Sequence, residues 1–272
     1  MDISIKLSGG QYLKGIINSP GEHAKAVVIF VHGLGEHIGR YNYWVRKFNE
    51  RGFTFVGLDL PGHGKSDGKR GYIKNYSVTD EILDILIREY SKTFPGLPVF
   101  LYGHSLGGGI VVDYLIRKDP RVKAAVITSP WLRLAFEPGQ LKLTLASVMN
   151  WLLPSLVQKS GLIVEHISQD TKVVEAYKND PLVHDRISVS LFNSAMDAAG
   201  HSFNHAEYIR IPLLLLHGSD DKICSPAGSS EFASKNHHIT LKIWDGGFHE
   251  LHNESFKDDV FAMIVDWLES KM

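Results

Sequence analysis

Ala26–Val31 reads AVVIFV, an unbroken apolar run of strand length in which four residues are β-branched. A strand with one wet face alternates polar and apolar residues, whereas an unbroken run marks a strand buried on both faces. This feature demands helices above and below a sheet. Similar runs recur at Phe53–Leu58, Pro98–Tyr102, Lys123–Thr128, Pro212–His217 and Thr240–Trp244. Helical periodicity falls between and after them, near Tyr43–Arg51, Val78–Phe94, Leu106–Arg117, Ala227–Lys235 and Phe256–Ser270. Ile82, Ile85, Leu86 and Tyr90, for example, share one helical face. The alternation predicts an α/β fold: right-handed crossovers and a mostly parallel central sheet with helices on both faces. Two further strand-like segments, Ser4–Leu7 and Tyr12–Asn18, open the chain.

Between residues 131 and 209 the alternation stops, and no buried strand is read there. The expected organisation is a core formed by residues 1–130 and 210–272, with 131–209 inserted as a helical cap or lid over the sheet's C-terminal edge. Within that insertion Leu141, Leu145, Val148, Leu152 and Leu156 lie close to one helical face. Leu145, Val148, Met149, Leu152 and Leu156 would line a channel, touch a lipid surface or pack the cap itself.

Composition narrows the function classes. With 44% hydrophobic and 22% charged residues, the 272-residue chain is neither disordered nor membrane-embedded in character. Its formal charge of −1, without a Lys/Arg stripe, argues against a nucleic-acid partner. Cys224 is the single cysteine, so no intrachain disulfide forms. The opening MDISIKLSGGQYLKG lacks the pattern of a signal peptide, and no apolar run approaches the roughly 20 residues of a membrane span. A cytoplasmic, possibly membrane-peripheral location is the expectation.

Gly103-His104-Ser105-Leu106-Gly107 matches G-x-S-x-G and sits between a strand and a helix, the setting of a strained turn that exposes a serine nucleophile. A serine hydroxyl needs a base to remove its proton. In this setting the chain order is Ser, acid, His, so both partners should follow later strands. His249 is the expected base; His252 is a rival, while His237 and His238 precede the last strand and so stand at its wrong end. Asp221 is the preferred acid over its neighbour Asp220. The backbone N–H groups of Leu106, after the nucleophile, and Leu34, in the His32-Gly33-Leu34-Gly35 loop, are the expected oxyanion donors. The fourteen histidines are scattered without metal-ligand spacing, so neither metal nor cofactor is expected. The glycine-containing loop Asp59–Ser66 reads as a structural turn. Cys224 is expected near the site, either as a small buried residue or as a point of sensitivity to thiol reagents.

Five stretches carry a family resemblance: VHGLGEHIGRY (Val31–Tyr41), LDLPGHGKSDGKRG (Leu58–Gly71), GHSLGGGI (Gly103–Ile110), HGSDDKIC (His217–Cys224) and GGFHELHNE (Gly246–Glu254). Together they resemble the monoacylglycerol lipase and lysophospholipase branch of the α/β-hydrolase superfamily. The resemblance spans the core almost end to end, but within 131–209 only YKNDPL (Tyr177–Leu182) is similar. It implies the α/β-hydrolase fold and a serine ester hydrolase that needs no cofactor. The implied reaction cleaves monoacylglycerols to fatty acid and glycerol through an acyl-enzyme on Ser105. It further implies that Arg40, Tyr177 and His252, with Glu36, surround the polar head group, although Arg40 could instead bridge to Glu36 and order the loop. A carboxylesterase for short- to medium-chain esters or a lysophospholipase would use the same machinery. Ser105 argues against the fold's aspartate-nucleophile dehalogenases and epoxide hydrolases. A catalytically silent binding protein would usually lack one of Ser105, Asp221 and His249.

Overall fold

The protein, described as a computed structural model over residues 1–136 and 139–272, follows the expected alternation. In chain order the strands are β1 (Asp2–Lys6), β2 (Tyr12–Asn18), β3 (Ala26–Val31), β4 (Phe53–Leu58), β5 (Val99–His104), β6 (Ala124–Thr128), β7 (Val157–Lys159), β8 (Arg186–Ser188), β9 (Leu213–Gly218) and β10 (Ile239–Trp244). The helices are α1 (Asn42–Glu50), α2 (Tyr76–Thr93), α3 (Leu106–Lys118), α4 (Gln140–Leu152), α5 (Thr171–Asn179), α6 (Val189–Asn204), α7 (Pro226–Ser234) and α8 (Lys257–Glu269). Eight strands form one sheet in the order β1-β2-β4-β3-β5-β6-β9-β10. Strands β4 through β10 in that order pair in parallel, and only β1–β2 and β2–β4 are antiparallel.

Side chains along each central strand divide strictly between two cores, as period-two geometry requires. Val27, Ile29, Val31, Leu101, Ile127 and Leu215 pack on the side of α2, α3, α6 and α7. Val28, Phe30, Phe55, Tyr102, Val126 and Leu216 pack on the side of α1 and α8. The second core is aromatic, with Trp44 and Phe48 of α1 and Phe261 of α8 edge-on to their neighbours. Each such buried side chain contributes about 1.5–3 kcal/mol. Helix α8 shows the cause in its sequence: Val260, Phe261, Ile264, Val265 and Leu268 are buried at helical spacing.

From β3 the chain passes to β4 on one side of it and then to β5 on the other. A crevice opens at the C-terminal ends of strands where the order reverses in this way. The loop after β4 stabilises its rim. The Asp59 carboxylate accepts the Ile38 N–H at 2.8 Å and the Lys65 N–H at 2.7 Å, and a Cβ on Gly64 would lie 2.1 Å from it. An internal acid therefore holds this glycine-containing turn.

Between β6 and β9 lie α4, β7, α5, β8 and α6. The segment also holds a short antiparallel pair, β7–β8, whose three residues per strand are too few to show a periodicity. Helix α6 packs on α3, where His201 Nδ1 meets Asp113 Oδ1 at 2.9 Å. The segment also reaches the loop after β3: the His184 N–H donates to Gly35 O at 2.8 Å, and His37 Nε2 meets Asp180 Oδ2 at 2.9 Å. On α4 and the turn after it, Leu145, Val148, Trp151, Leu152 and Leu156 are 43–84% exposed, so they do not pack the interior of this segment. Met149 is half-buried, and Leu141 falls outside the described side chains. No helix among the described residues is long and apolar enough to cross a membrane.

Candidate active site

Ser105 stands alone between β5 and α3 with φ 54° and ψ −118°, a conformation that L-residues avoid. The neighbouring glycines make the turn possible. A Cβ on Gly103 would lie 2.5 Å from Gly107 O, and one on Gly107 would lie 2.2 Å from Val31 O. Three backbone bonds hold the strained residue: Ser105 N–H donates to Thr128 O at 3.0 Å, and Ser105 O accepts from Gly109 at 3.0 Å and Trp131 at 2.9 Å.

The loops after β9 and β10 bring the two other expected residues to this serine. His249 Nε2 lies 2.9 Å from Ser105 Oγ, and His249 Nδ1 lies 2.7 Å from Asp221 Oδ2. Gly218 and Gly247 let those loops touch; a Cβ on Gly218 would lie 2.1 Å from Gly247 O. Asp221 is buried and faces His249, whereas Asp220 is exposed and accepts the Ser219 hydroxyl. His237 and His238 precede β10. A hydroxyl, an imidazole and a carboxylate in series form the arrangement that activates an oxygen nucleophile.

Burial alone would depress the His249 imidazole, but the Asp221 carboxylate, with Glu250 and Glu36 beyond it, outweighs burial and raises it. Burial pushes the Asp221 carboxyl up, yet the His249 charge and the bonds from His217 and His249 bring it down overall. A base must be neutral to accept a proton. The acid limb of kcat/KM for an uncharged ester is therefore expected above pH 6.5, the ordinary histidine value. A pH–rate profile with its midpoint below that value would contradict the assignment of His249 as base.

Leu106 opens α3, so its N–H has no intrahelical partner. The loop bearing Leu34 abuts the serine: a Cβ on Gly33 would lie 3.1 Å from Ser105 Cβ. That loop is fixed from both sides. Gly33 N–H donates to Glu36 Oε1 at 2.6 Å, while His32 Nδ1 donates to Gly33 O at 2.8 Å and its Nε2 accepts the Leu60 N–H at 2.9 Å. Burial lowers the His32 pKa, which keeps Nε2 available as an acceptor.

Arg40, Glu36, Tyr177 and His252 gather in one buried cluster. Arg40 NH1 donates to Glu36 Oε2 at 2.7 Å and Glu250 Oε1 at 2.6 Å, and its NH2 donates to Glu250 Oε2 at 2.7 Å. The guanidinium also lies 4.6 Å from the Tyr177 ring centroid. Tyr41 donates to Glu36 Oε1 at 2.8 Å and stacks on His252 at 4.6 Å. Burial lowers His252 to about 4, and neither of its ring nitrogens bonds a protein group among the described residues. Arg40 therefore ties the loop carrying Leu34 to the residue after His249. Sequence reasoning had missed Glu250; its position directly after the expected base was the available signal.

His217, the buried residue four before Asp221, was also missed; its Nε2 lies 2.9 Å from Asp221 Oδ2. Cys224 is buried, and burial together with the Asp221 charge pushes its thiol well up, away from reactive thiolate. Among the described residues no group of three or more His, Cys, Asp or Glu is disposed to hold a metal.

Comparison with known proteins places the chain in a family. The Hydrolase_4 family (serine aminopeptidase, S33) matches residues 22–255. A monoacylglycerol lipase of Mycolicibacterium smegmatis is 31% identical over 97% of this chain and 95% of its own length. An uncharacterized abhydrolase domain-containing protein of Dictyostelium discoideum is 34% identical over 91% of the chain, which spans only 26% of that larger protein. The crystal structure of a monoacylglycerol lipase from Paleococcus ferrophilus has a TM-score of 0.88 at 35% identity, covering 96% of this chain and 99% of that one. The chain therefore belongs to the Hydrolase_4 family (serine aminopeptidase, S33) and is a monoacylglycerol lipase-like serine hydrolase of the α/β-hydrolase fold.

Proposed function

We propose that this enzyme cleaves monoacylglycerols to fatty acid and glycerol through an acyl-enzyme on Ser105. The hydrogen-bonded series from Ser105 through His249 to Asp221 carries the reading, and the monoacylglycerol lipase relatives supply the substrate class. Ser105 Oγ attacks the ester carbonyl as its proton passes to His249 Nε2. The negative oxygen is received by the N–H groups of Leu34 and Leu106, and one such donor contributes about 2.7–4 kcal/mol in comparable enzymes. Collapse breaks the C–O bond, and His249 returns the proton to the departing glycerol oxygen. Water then attacks the acyl carbon as it loses a proton to His249; collapse breaks the acyl C–Oγ bond, and His249 returns the proton to Ser105 Oγ as the fatty acid departs. Asp221 holds the histidine tautomer and stabilises the imidazolium throughout.

Residues 131–209 would act as the cap, with the acyl chain beneath it and the glycerol head group near Glu36, Arg40, Tyr177 and His252. Arg40 is already engaged by two carboxylates, and the ring nitrogens of His252 are buried without a protein partner among the described residues. The exposed Leu145, Val148, Trp151 and Leu152 suit a peripheral contact with a lipid surface. Replacing Trp151, 84% exposed, by Ser is expected to weaken vesicle partitioning by about tenfold or more while sparing turnover of a soluble ester. Equal co-sedimentation of the two proteins with phosphatidylcholine vesicles would remove the membrane contact.

The deciding experiment measures kcat/KM for p-nitrophenyl esters from C2 to C16, for 1- and 2-monooleoylglycerol and for lysophosphatidylcholine. Preference for monooleoylglycerol by about tenfold supports the reading, since that ratio corresponds to roughly 1.4 kcal/mol of head-group recognition. Preference for short esters would make the enzyme a carboxylesterase, and preference for the lysophospholipid a lysophospholipase. Failure of a fluorophosphonate to label Ser105 would leave a silent binding protein.

A further inference from the structure

We propose that His217 is a positioning residue for the reaction: it shares Asp221 Oδ2 with His249 and sets how strongly that carboxylate acts on the base. This rests on the mechanism proposed above. His217 is the penultimate residue of β9 and is fully buried. Its Nε2 lies 2.9 Å from Asp221 Oδ2 and 3.2 Å from the Cys224 carbonyl oxygen, while its Nδ1 lies 2.7 Å from Ser229 Oγ on α7. A carboxylate and a carbonyl oxygen only accept, so Nε2 carries the proton. In the neutral ring Nδ1 then accepts from the Ser229 hydroxyl. The tautomer is thus set by groups on both sides of the ring.

Asp221 consequently receives four donors. Ile223 N–H at 2.8 Å and Cys224 N–H at 3.0 Å meet Oδ1; His249 Nδ1–H at 2.7 Å and His217 Nε2–H at 2.9 Å meet Oδ2. A carboxylate has about four lone-pair sites, so all of them are engaged. The two backbone donors anchor one oxygen. The two imidazoles compete for the other, which is the oxygen that polarises the base. A hydrogen bond to a charged group stabilises that charge and reduces what remains for a second partner. His217 therefore directs Oδ2 toward His249 and also tempers its pull. Removing the donor would loosen the carboxylate and concentrate its charge on His249, which would then hold its proton more tightly.

The test compares His217→Leu, His217→Gln and Ser229→Ala with the parent enzyme on a soluble p-nitrophenyl ester. Fluorophosphonate labelling of parent Ser105 is read first. Without it the hydrolytic mechanism fails, and this inference with it. Given labelling, His217→Leu is expected to lower the plateau kcat by about tenfold, as misplaced catalytic groups do, with KM within about twofold. It should also move the acid limb of kcat/KM to higher pH. His217→Gln, whose amide N–H reaches the same oxygen, should restore both readings. Ser229→Ala leaves the ring in place but removes one of the partners that set its tautomer, so it should move the limb in the same direction by less. It also decides the matter if His217→Leu does not fold. An unmoved limb in the folded variants, or a Gln variant as impaired as the Leu variant, would reduce His217 to a packing role and overturn the inference while leaving the hydrolase intact.

Discussion

Ser105→Ala is expected to lower kcat for ester hydrolysis by about 10⁴- to 10⁶-fold, the scale on which loss of a serine nucleophile acts. The side chain touches the chemistry through one atom, Oγ, which lies 2.9 Å from His249 Nε2. Alanine keeps the Cβ that packs beside Gly33 and leaves the three backbone bonds of the turn intact. The strained φ persists in the variant, so thermal stability should stay within a few degrees of the parent. Single-turnover kinetics and fluorophosphonate labelling check the first expectation, and calorimetry checks the second. Activity within tenfold of the parent would remove Ser105 from the mechanism altogether.

Arg40→Met should be the most damaging single change away from the nucleophile, destabilising the protein by about 3–5 kcal/mol. It strands Glu36 and Glu250, both nearly inaccessible, without their counter-ion. That is a large share of the roughly 5–15 kcal/mol that holds a domain folded. Glu36 also loses the partner that steadies it against Gly33 N–H, so activity should fall along with stability. The pH dependence distinguishes this cause from lost packing. In the parent, burial acts to raise the Glu250 carboxyl, but Arg40 outweighs it and holds the group below its usual range. A group depressed in this way stabilises the fold above its unfolded value and loses that contribution as pH falls. In the variant burial acts on the unpaired Glu250 carboxyl without Arg40 to offset it and raises it, so its penalty is present at neutral pH and relieved by protonation. The gap between the two denaturation midpoints should therefore narrow from pH 8 to pH 5. A constant gap would mean that Arg40 acts through packing alone.

The residues legible in advance are those whose constraint is local. Ala26–Val31 and Phe53–Leu58 could be read as doubly buried strands because burial on both faces excludes polar residues from consecutive positions. Gly103 and Gly107 announced a sharp turn because no side chain fits beside Gly107 O or Val31 O. The order of serine, acid and histidine followed from which loops a parallel sheet gathers at one edge. Other features depend on residues far apart in the chain and left no local trace. Arg40 and Glu250 are 210 positions apart, and only their shared burial turns a loop arginine into a bridge between two working loops. The β7–β8 pair is three residues per strand, below the length at which alternation can be seen. Leu145, Val148 and Leu152 of α4 keep helical spacing, but spacing cannot distinguish a face that packs inward from one that stands in solvent.

The sequence by itself determined the layering of sheet and helices, the strained serine turn and the chain order of its partners, because steric and burial limits act residue by residue. Tertiary structure alone decided that His217 shares the Asp221 carboxylate with His249 and that Arg40 serves two internal acids. Those choices turn on hydrogen-bond geometry between distant loops, and only the folded sheet brings the loops that close.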